Sequence, residues 1–159
     1  MMDDLYVLED WLGGLLSQLS PAERRRAAID VGRELRRSQQ KRIVQQRNPD
    51  GTAYEPRKAR QFMRNARLRE KAGRIKRKAM FAKLRTARFM KVEADSSGVS
   101  VGFAGRVARL ARVHQEGQTA EVTRGGPSHT YPVRQLLGFT EADQEMIRDK
   151  LLEHLARSA

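Results

Sequence analysis

The sequence has no cysteine, which excludes disulfides and thiolate metal sites and is compatible with assembly in a reducing compartment. Aromatic residues are scarce at 6%, with a single tryptophan, which leaves little for stacking nucleobases. No apolar run approaches the roughly 20 residues of a membrane helix, so no span and no membrane partner are expected. Basic residues are missing from the opening "MMDDLYVLED", where a secretory signal would carry them, so no export signal is expected. His114, His129 and His154 are scattered, and no two have the H-x-x-x-H spacing of a helical metal pair. There is no G-x-S-x-G elbow, and "GRVARL" lacks the Lys-Ser/Thr of a phosphate-binding loop. Carboxylates fall mostly in the terminal stretches, which disfavours a metal-dependent nuclease. Neither cofactor nor metal is expected, and no catalytic group stands out.

Positive charge is what the chain has in excess. Its 159 residues carry 32 Lys and Arg against 19 Asp and Glu, a net +13. One stretch accounts for it. From Arg57 to Lys91, "RKARQFMRNARLREKAGRIKRKAMFAKLRTARFMK" holds fifteen bases and one acid, while the rest of the chain holds 17 bases against 18 acids. Three partners suit such a run: nucleic-acid phosphates, bound with steep salt dependence; an acidic surface on a neighbouring protein, with ordering on contact; or solvent alone. No zinc-finger or RNA-binding signature accompanies it, so sequence-specific reading of bases is not expected.

The class expected is α+β: a helical N-terminus, a long basic segment, a small antiparallel sheet or hairpin packed against helices, and a C-terminal helix. Leu5, Leu8, Leu12, Leu15 and Leu19 recur at steps of 3 and 4, one apolar stripe of a helix. In "SPAE", Ser20 as N-cap, Pro21 at the first position and Glu23 form a capping box. The helix that follows is expected to run to about Arg47, burying Ala28, Val31, Leu35 and Ile43, with its polar last turns projecting beyond the core. "NPDG" stops it. The basic run is broken by Gly73, with a helix resuming at about Ile75. Alternation in "ARFMKVEAD" and "VSVGF" around "SSG" predicts a β-hairpin. "GRVARLARVHQEG" reads as a helix closed by Gly117. "QTAEVTRGGPSHT" reads as a polar loop, "YPVRQLL" as a short edge strand, and the remainder as a helix that opens on Thr140 and Asp143 and buries Met146 or Ile147, Leu151 and Leu155. Length argues for one domain over 1–159, with 57–79 as a basic insertion, extended or partly disordered.

"VHQEG" admits two readings. His114 could be a metal ligand or catalytic group. Alternatively His114 and Gln115 end the helix and satisfy backbone groups in the turn that Gly117 makes. The second is favoured, and a helix C-terminus would suit a partial positive charge on His114.

Four blocks, "SQQKRIVQQRNPDGTAYEPR", "KAGRIKRKAMFAKLRTARFM", "VHQEG" and "YPVRQLLGFTEADQEMI", occur in one order and spacing. Together they resemble the tail completion proteins of contractile-tailed phages, within the phage virion morphogenesis family, over almost the whole chain. That resemblance implies a non-enzymatic structural protein that completes the head-proximal end of the tail and makes it competent for head–tail joining. It implies a virion location at the head–tail junction after assembly in the host cytoplasm, and a homo-oligomeric ring, hexameric to match tail symmetry. Its expected partners are the tail tube or terminator and neck or connector proteins, with genome DNA in the channel as a secondary partner. Pro49, Asp50, Gly51, Tyr54 and Pro56 match the family's PDG-x-x-aromatic-x-P loop. His114, Gln115 and Gly117 match its H-Q-x-G turn. Tyr131, Pro132, Arg134, Leu136, Leu137, Gly138 and Phe139 match its closing block. These are expected to be scaffold and interface elements. Gln135 departs from the pattern, standing where proline is common, which loosens the rigidity expected before Leu136. Interface contacts are expected from Arg57, Lys58, Arg60, Arg64, Arg67 and Arg69, and from Lys71, Arg74, Lys76, Arg77, Lys78, Lys83 and Arg85. The competing reading is a free, non-sequence-specific nucleic-acid-binding protein.

Overall fold

The computed structural model describes residues 2–57 and 79–158. The elements are α1 (Met2–Leu16), α2 (Pro21–Val44), β1 (Met90–Ala94), β2 (Val99–Phe103), α3 (Val107–Glu116), β3 (Thr119–Glu121), β4 (Ser128–Thr130) and α4 (Glu141–Ser158). The class is α+β. The strands form two two-stranded sheets, β1 with β2 and β3 with β4. The chain divides into two compact units, with the division falling inside α2 and at the ends of the first hairpin.

One unit comprises 1–38, 90–102 and 139–159. Its interior is apolar. Leu12, Ala27, Val31, Leu35 and Leu151 are buried together, with Leu16, Val99, Val101, Met146 and Ile147 packed against them. Leu12 and Leu19 of the predicted stripe are buried, while the side chains of Leu5 and Leu8 lie outside those described. Reciprocal capping fixes both helix starts. The Ser20 amide donates to Glu23 Oε2 at 2.8 Å, and the Glu23 amide to Ser20 Oγ at 3.3 Å. Thr140 and Asp143 repeat the exchange at 3.0 and 3.1 Å, so a shorter carboxylate serves where Glu or Gln is usual. The predicted hairpin turns on Asp95, whose Oδ1 accepts from the Ser97 amide, the Ser97 hydroxyl and the Gly98 amide. On α4, His154 Nε2 and Lys150 Nζ meet Asp30 Oδ2 at 3.1 and 3.3 Å. Burial opposes ionisation of Asp30, but those two partners outweigh it and hold its pKa below the ordinary carboxylate value.

The other unit comprises 39–89 and 103–138, of which 58–78 lie outside the described residues. Four expectations fail here. First, the last turns of α2 do not project: Gln39, Arg42 and Ile43 are buried, the first two with their side chains bound to main chain within this unit and the third as an apolar core residue. Second, 79–89 form turns and not the continuation of a helix. The Met80 amide donates to Gln46 Oε1 and its carbonyl accepts from Gln46 Nε2, and Phe81 sits at φ 66°, outside any helix. Third, the polar loop contains a β-ladder, pairing Thr119 with Thr130, Ala120 with His129 and Glu121 with Ser128. Fourth, "YPVRQLL" is not a strand. The helix ahead of it, α3, ends as predicted on Gly117 at φ 66°, where a Cβ would stand 2.7 Å from Val133 Cγ2 and 3.2 Å from the Tyr131 carbonyl.

Candidate functional site

An extended stretch that joins no sheet must place its peptide groups elsewhere. In residues 135–138 every one of them finds a side chain. The Gln135 amide donates to Asn48 Oδ1 at 2.9 Å, and its carbonyl accepts the Tyr54 hydroxyl at 3.1 Å. The Leu136 and Leu137 amides both donate to Gln115 Oε1, at 2.8 and 3.0 Å, and Gln115 Nε2 donates back to the Leu137 carbonyl at 2.9 Å. Arg42 donates to the Leu136 carbonyl at 3.2 Å. Gln39 accepts from the Gly138 amide at 3.2 Å and donates to its carbonyl at 2.9 Å. Gln115 thus acts as a one-residue strand partner. It satisfies backbone groups as expected, but those of the closing block and not of the turn at Gly117.

The supporting side chains are themselves held. Asn48 and Asp50 organise the turn: Gly51 N donates to the Asn48 carbonyl at 3.0 Å, and Asp50 Oδ1 accepts from the Thr52 amide at 2.9 Å. Pro49 lies so close to Gly138 that a Cβ there would fall 2.5 Å from Pro49 Cγ. Tyr54 is buried, and that burial, partly offset by Arg42, pushes its hydroxyl pKa up to about 12. Gln135 is fixed at both its amide and its carbonyl, so the rigidity that a proline would supply comes from hydrogen bonds.

Arg134 makes a second clamp. It is buried, and its Nε donates to the Glu55 carbonyl at 2.7 Å while one Nη donates to the Pro56 carbonyl at 3.2 Å. Its other Nη lies 3.2 Å from His114 Nδ1. A guanidinium can only donate, so Nδ1 accepts and the His114 proton resides on Nε2. Burial first, then the charges of Arg134 and Arg57, pull the His114 pKa down to about 4. His114 is therefore neutral at pH 7, and the expected positive charge at this helix end is corrected: Arg134 supplies it instead.

An edge-to-face series of rings runs Tyr54–Phe81–His114–Tyr131–His129, with centroid separations of 5.9, 4.8, 4.9 and 5.0 Å. It borders a cleft of about 760 Å³ whose walls include Phe89, Val107, Leu110, Val122 and Pro132. Leu110 and Val122 are 47% and 50% exposed. Among the described residues, Arg57, Lys83 and Arg134 line it against one acid, Glu55.

The family-motif residues therefore converge within one unit, except exposed Phe139, which falls in the other. The basic residues divide differently. Arg57 and Lys83 line the cleft, and exposed Arg85 accepts Gln40 Nε2 on its carbonyl at 2.6 Å. Those from Lys58 to Lys78 lie outside the described residues. Gln39, Arg42 and Asn48 were not singled out in the sequence, although each binds the closing block. They fall inside or beside a motif, but nothing in their spacing points to partners some ninety residues away. Polar side chains here are occupied with main chain, and among the described residues no group of three or more His, Asp or Glu is placed to hold a metal ion.

A model of the phage virion morphogenesis family matches residues 3–156. Tail completion protein S of Escherichia phage P2 is 43% identical over 157 residues, covering 98% of this chain and 100% of that protein. No solved structure matches the chain.

Proposed function

Because the chain belongs to the phage virion morphogenesis family, we propose that it completes the head-proximal end of a contractile tail and makes that tail competent to join a head. The near full-length similarity to a protein named for tail completion carries this reading. The arrangement of the motif residues supports a structural and non-enzymatic role: Gln115, Arg134 and Tyr54 are engaged in holding main chain. In the proposed assembly a ring of copies, six to match tail symmetry, sits at the head–tail junction of the virion between the tail tube or terminator and neck or connector proteins. The run Arg57–Lys91, with its fifteen bases, faces acidic neighbours there and, secondarily, genome DNA in the channel.

The test is complementation in a phage lacking its own copy. Wild-type chain is expected to restore tails that join heads, and replacement of Arg74, Lys76, Arg77 and Lys78 by Ser to reduce the yield of joined particles. Normal joining by that variant would remove the basic run from the mechanism. Unchanged tails with and without the protein, seen by electron microscopy, would remove the tail-completion reading. Salt-sensitive duplex binding by a monomer or dimer that ignores tails would favour the free nucleic-acid-binding reading instead.

A further inference from the structure

The two units differ in sign of charge. The unit containing α1 has ten bases against fourteen acids, a net −4. The described part of the unit containing the cleft has twelve bases against four acids, a net +8. Within the first, α1 has four acids, Asp3, Asp4, Glu9 and Asp10, and no base. Leu12 faces the apolar core with Leu16. On the opposite side of the same helix, Tyr6 and Val7 are 65% and 69% exposed and Trp11 46%. The i,i+4 pairs Tyr6–Asp10 and Val7–Trp11 put this second apolar surface and a carboxylate on one face. Gly14 lies on that face too, and a Cβ there would meet nothing within 4 Å. It sits in the last turn of α1, and among the described residues no side chain packs against it. It leaves a flat place where another surface can approach the backbone.

From these features we propose that the exposed face of α1 in one copy docks into the aromatic cleft of a second copy, Trp11 entering among Leu110, Val122 and Phe89 while Asp10 meets Lys83 and Arg57. The match is apolar to apolar at the centre and acid to base at the rim, the usual anatomy of a specific interface. The chain's own 58–78 stretch is the poorer occupant, because its ten bases against one acid repeat the sign of the cleft. Two different patches of one chain meet, so the contact is head-to-tail, and repetition of a head-to-tail contact closes into a ring or runs on as a filament. The inference rests on the ring reading above and supplies its contact.

Mixing distinguishes it from other contacts. Trp11→Ser removes the knob and leaves the cleft; Leu110→Asp spoils the cleft and leaves the knob. Both positions are exposed, and circular dichroism checks that each variant folds. Sedimentation velocity of the full wild-type chain at low ionic strength is expected to show oligomers that weaken with added salt. Each variant alone should need at least about tenfold higher concentration to associate, as loss of a central aromatic or apolar anchor does. An equimolar mixture should form dimers and go no further, since one good contact remains per pair. Oligomers of wild type that neither substitution disturbs would overturn the proposed contact and leave the ring standing. A wild-type chain solitary at every concentration would overturn both contact and ring, with tail completion itself still decided by the complementation above. Asp10→Lys, rescued by Lys83→Glu in the partner copy, is the second variant set; no rescue counts against the rim pairing.

Discussion

The two units are stabilised by different means. Around α1, α4 and the first hairpin, leucine, valine and isoleucine are buried against one another, and polar groups act at the margins as caps and turns. Around the closing block, three buried polar side chains, Gln39, Arg42 and Arg134, share the interior with Ile43, Met80, Leu84 and Leu136. Apolar packing is non-directional and tolerates exchange of one aliphatic for another. A main chain captured by side chains has no such tolerance, because an unmatched buried donor or acceptor costs about 1–3 kcal/mol. One unit therefore depends on volume and the other on the identity of a few polar residues.

The sharpest way to break this contrast is Gln115→Leu. It preserves bulk but strands two amides and a carbonyl of Leu136 and Leu137, and should cost about 3 kcal/mol or more in denaturant unfolding. Hydrogen exchange should rise first at Leu136 and Leu137. If protection there is unchanged, side-chain capture is not what holds the block. Next in size is Gly138→Ala, where the new methyl meets Pro49 Cγ; a loss of about 1–3 kcal/mol is expected, readable as a lowered melting temperature.

Acid should separate the two units. His114 is held neutral in the fold with a pKa of about 4, below the ordinary value of 6.5. The unfolded chain binds the proton first, so stability is full above pH 6.5 and is lost as pH falls from there towards 4, by on the order of 2 kcal/mol. Asp30, whose pKa is lowered, behaves differently in range: its contribution persists until pH drops below the ordinary carboxylate value of 3.8. Unfolding curves at pH 7 and pH 5 should therefore differ in wild type and converge in His114→Phe. Smaller still, Ser20→Ala removes one cap and should cost about 1 kcal/mol. Lys150→Ala, whose ion pair with Asp30 is partly exposed, should cost under about 0.5 kcal/mol and less in salt.

Legibility in the sequence follows the same divide. Both helix-start boxes, the hairpin at 90–103, the Leu12–Leu19 stripe and the helix ending on Gly117 were readable, because each is written within a few residues by periodicity or by a cap. The unit built from distant partners was not. Tyr131, Val133, Leu136 and Leu137 look like strand residues, yet Gln115, Gln39 and Asn48 take the place of a neighbouring strand, and nothing local names them. The β3–β4 ladder escaped because both its strands are largely exposed, so no apolar alternation marks it. Gln39 and Arg42 lie in the polar last turns of α2, which read as projecting because such residues usually lie at the surface; they are buried by the bonds they make. The motif blocks, singled out by resemblance, hold most of the residues that meet in this unit, but they carry none of its geometry.

The bracing of residues 135–138 also bears on how the protein is made. Its partners Gln39 and Gly138 are 99 residues apart, and Asn48 and Gln135 are 87 apart. A nascent chain emerging from the ribosome must present the acceptors and donors of α2 and the NPDG turn long before the stretch they receive has been translated. The last fold-completing step waits until residues 135–138 have been translated, and a product terminated before them would leave those side chains reaching for a backbone that never arrives.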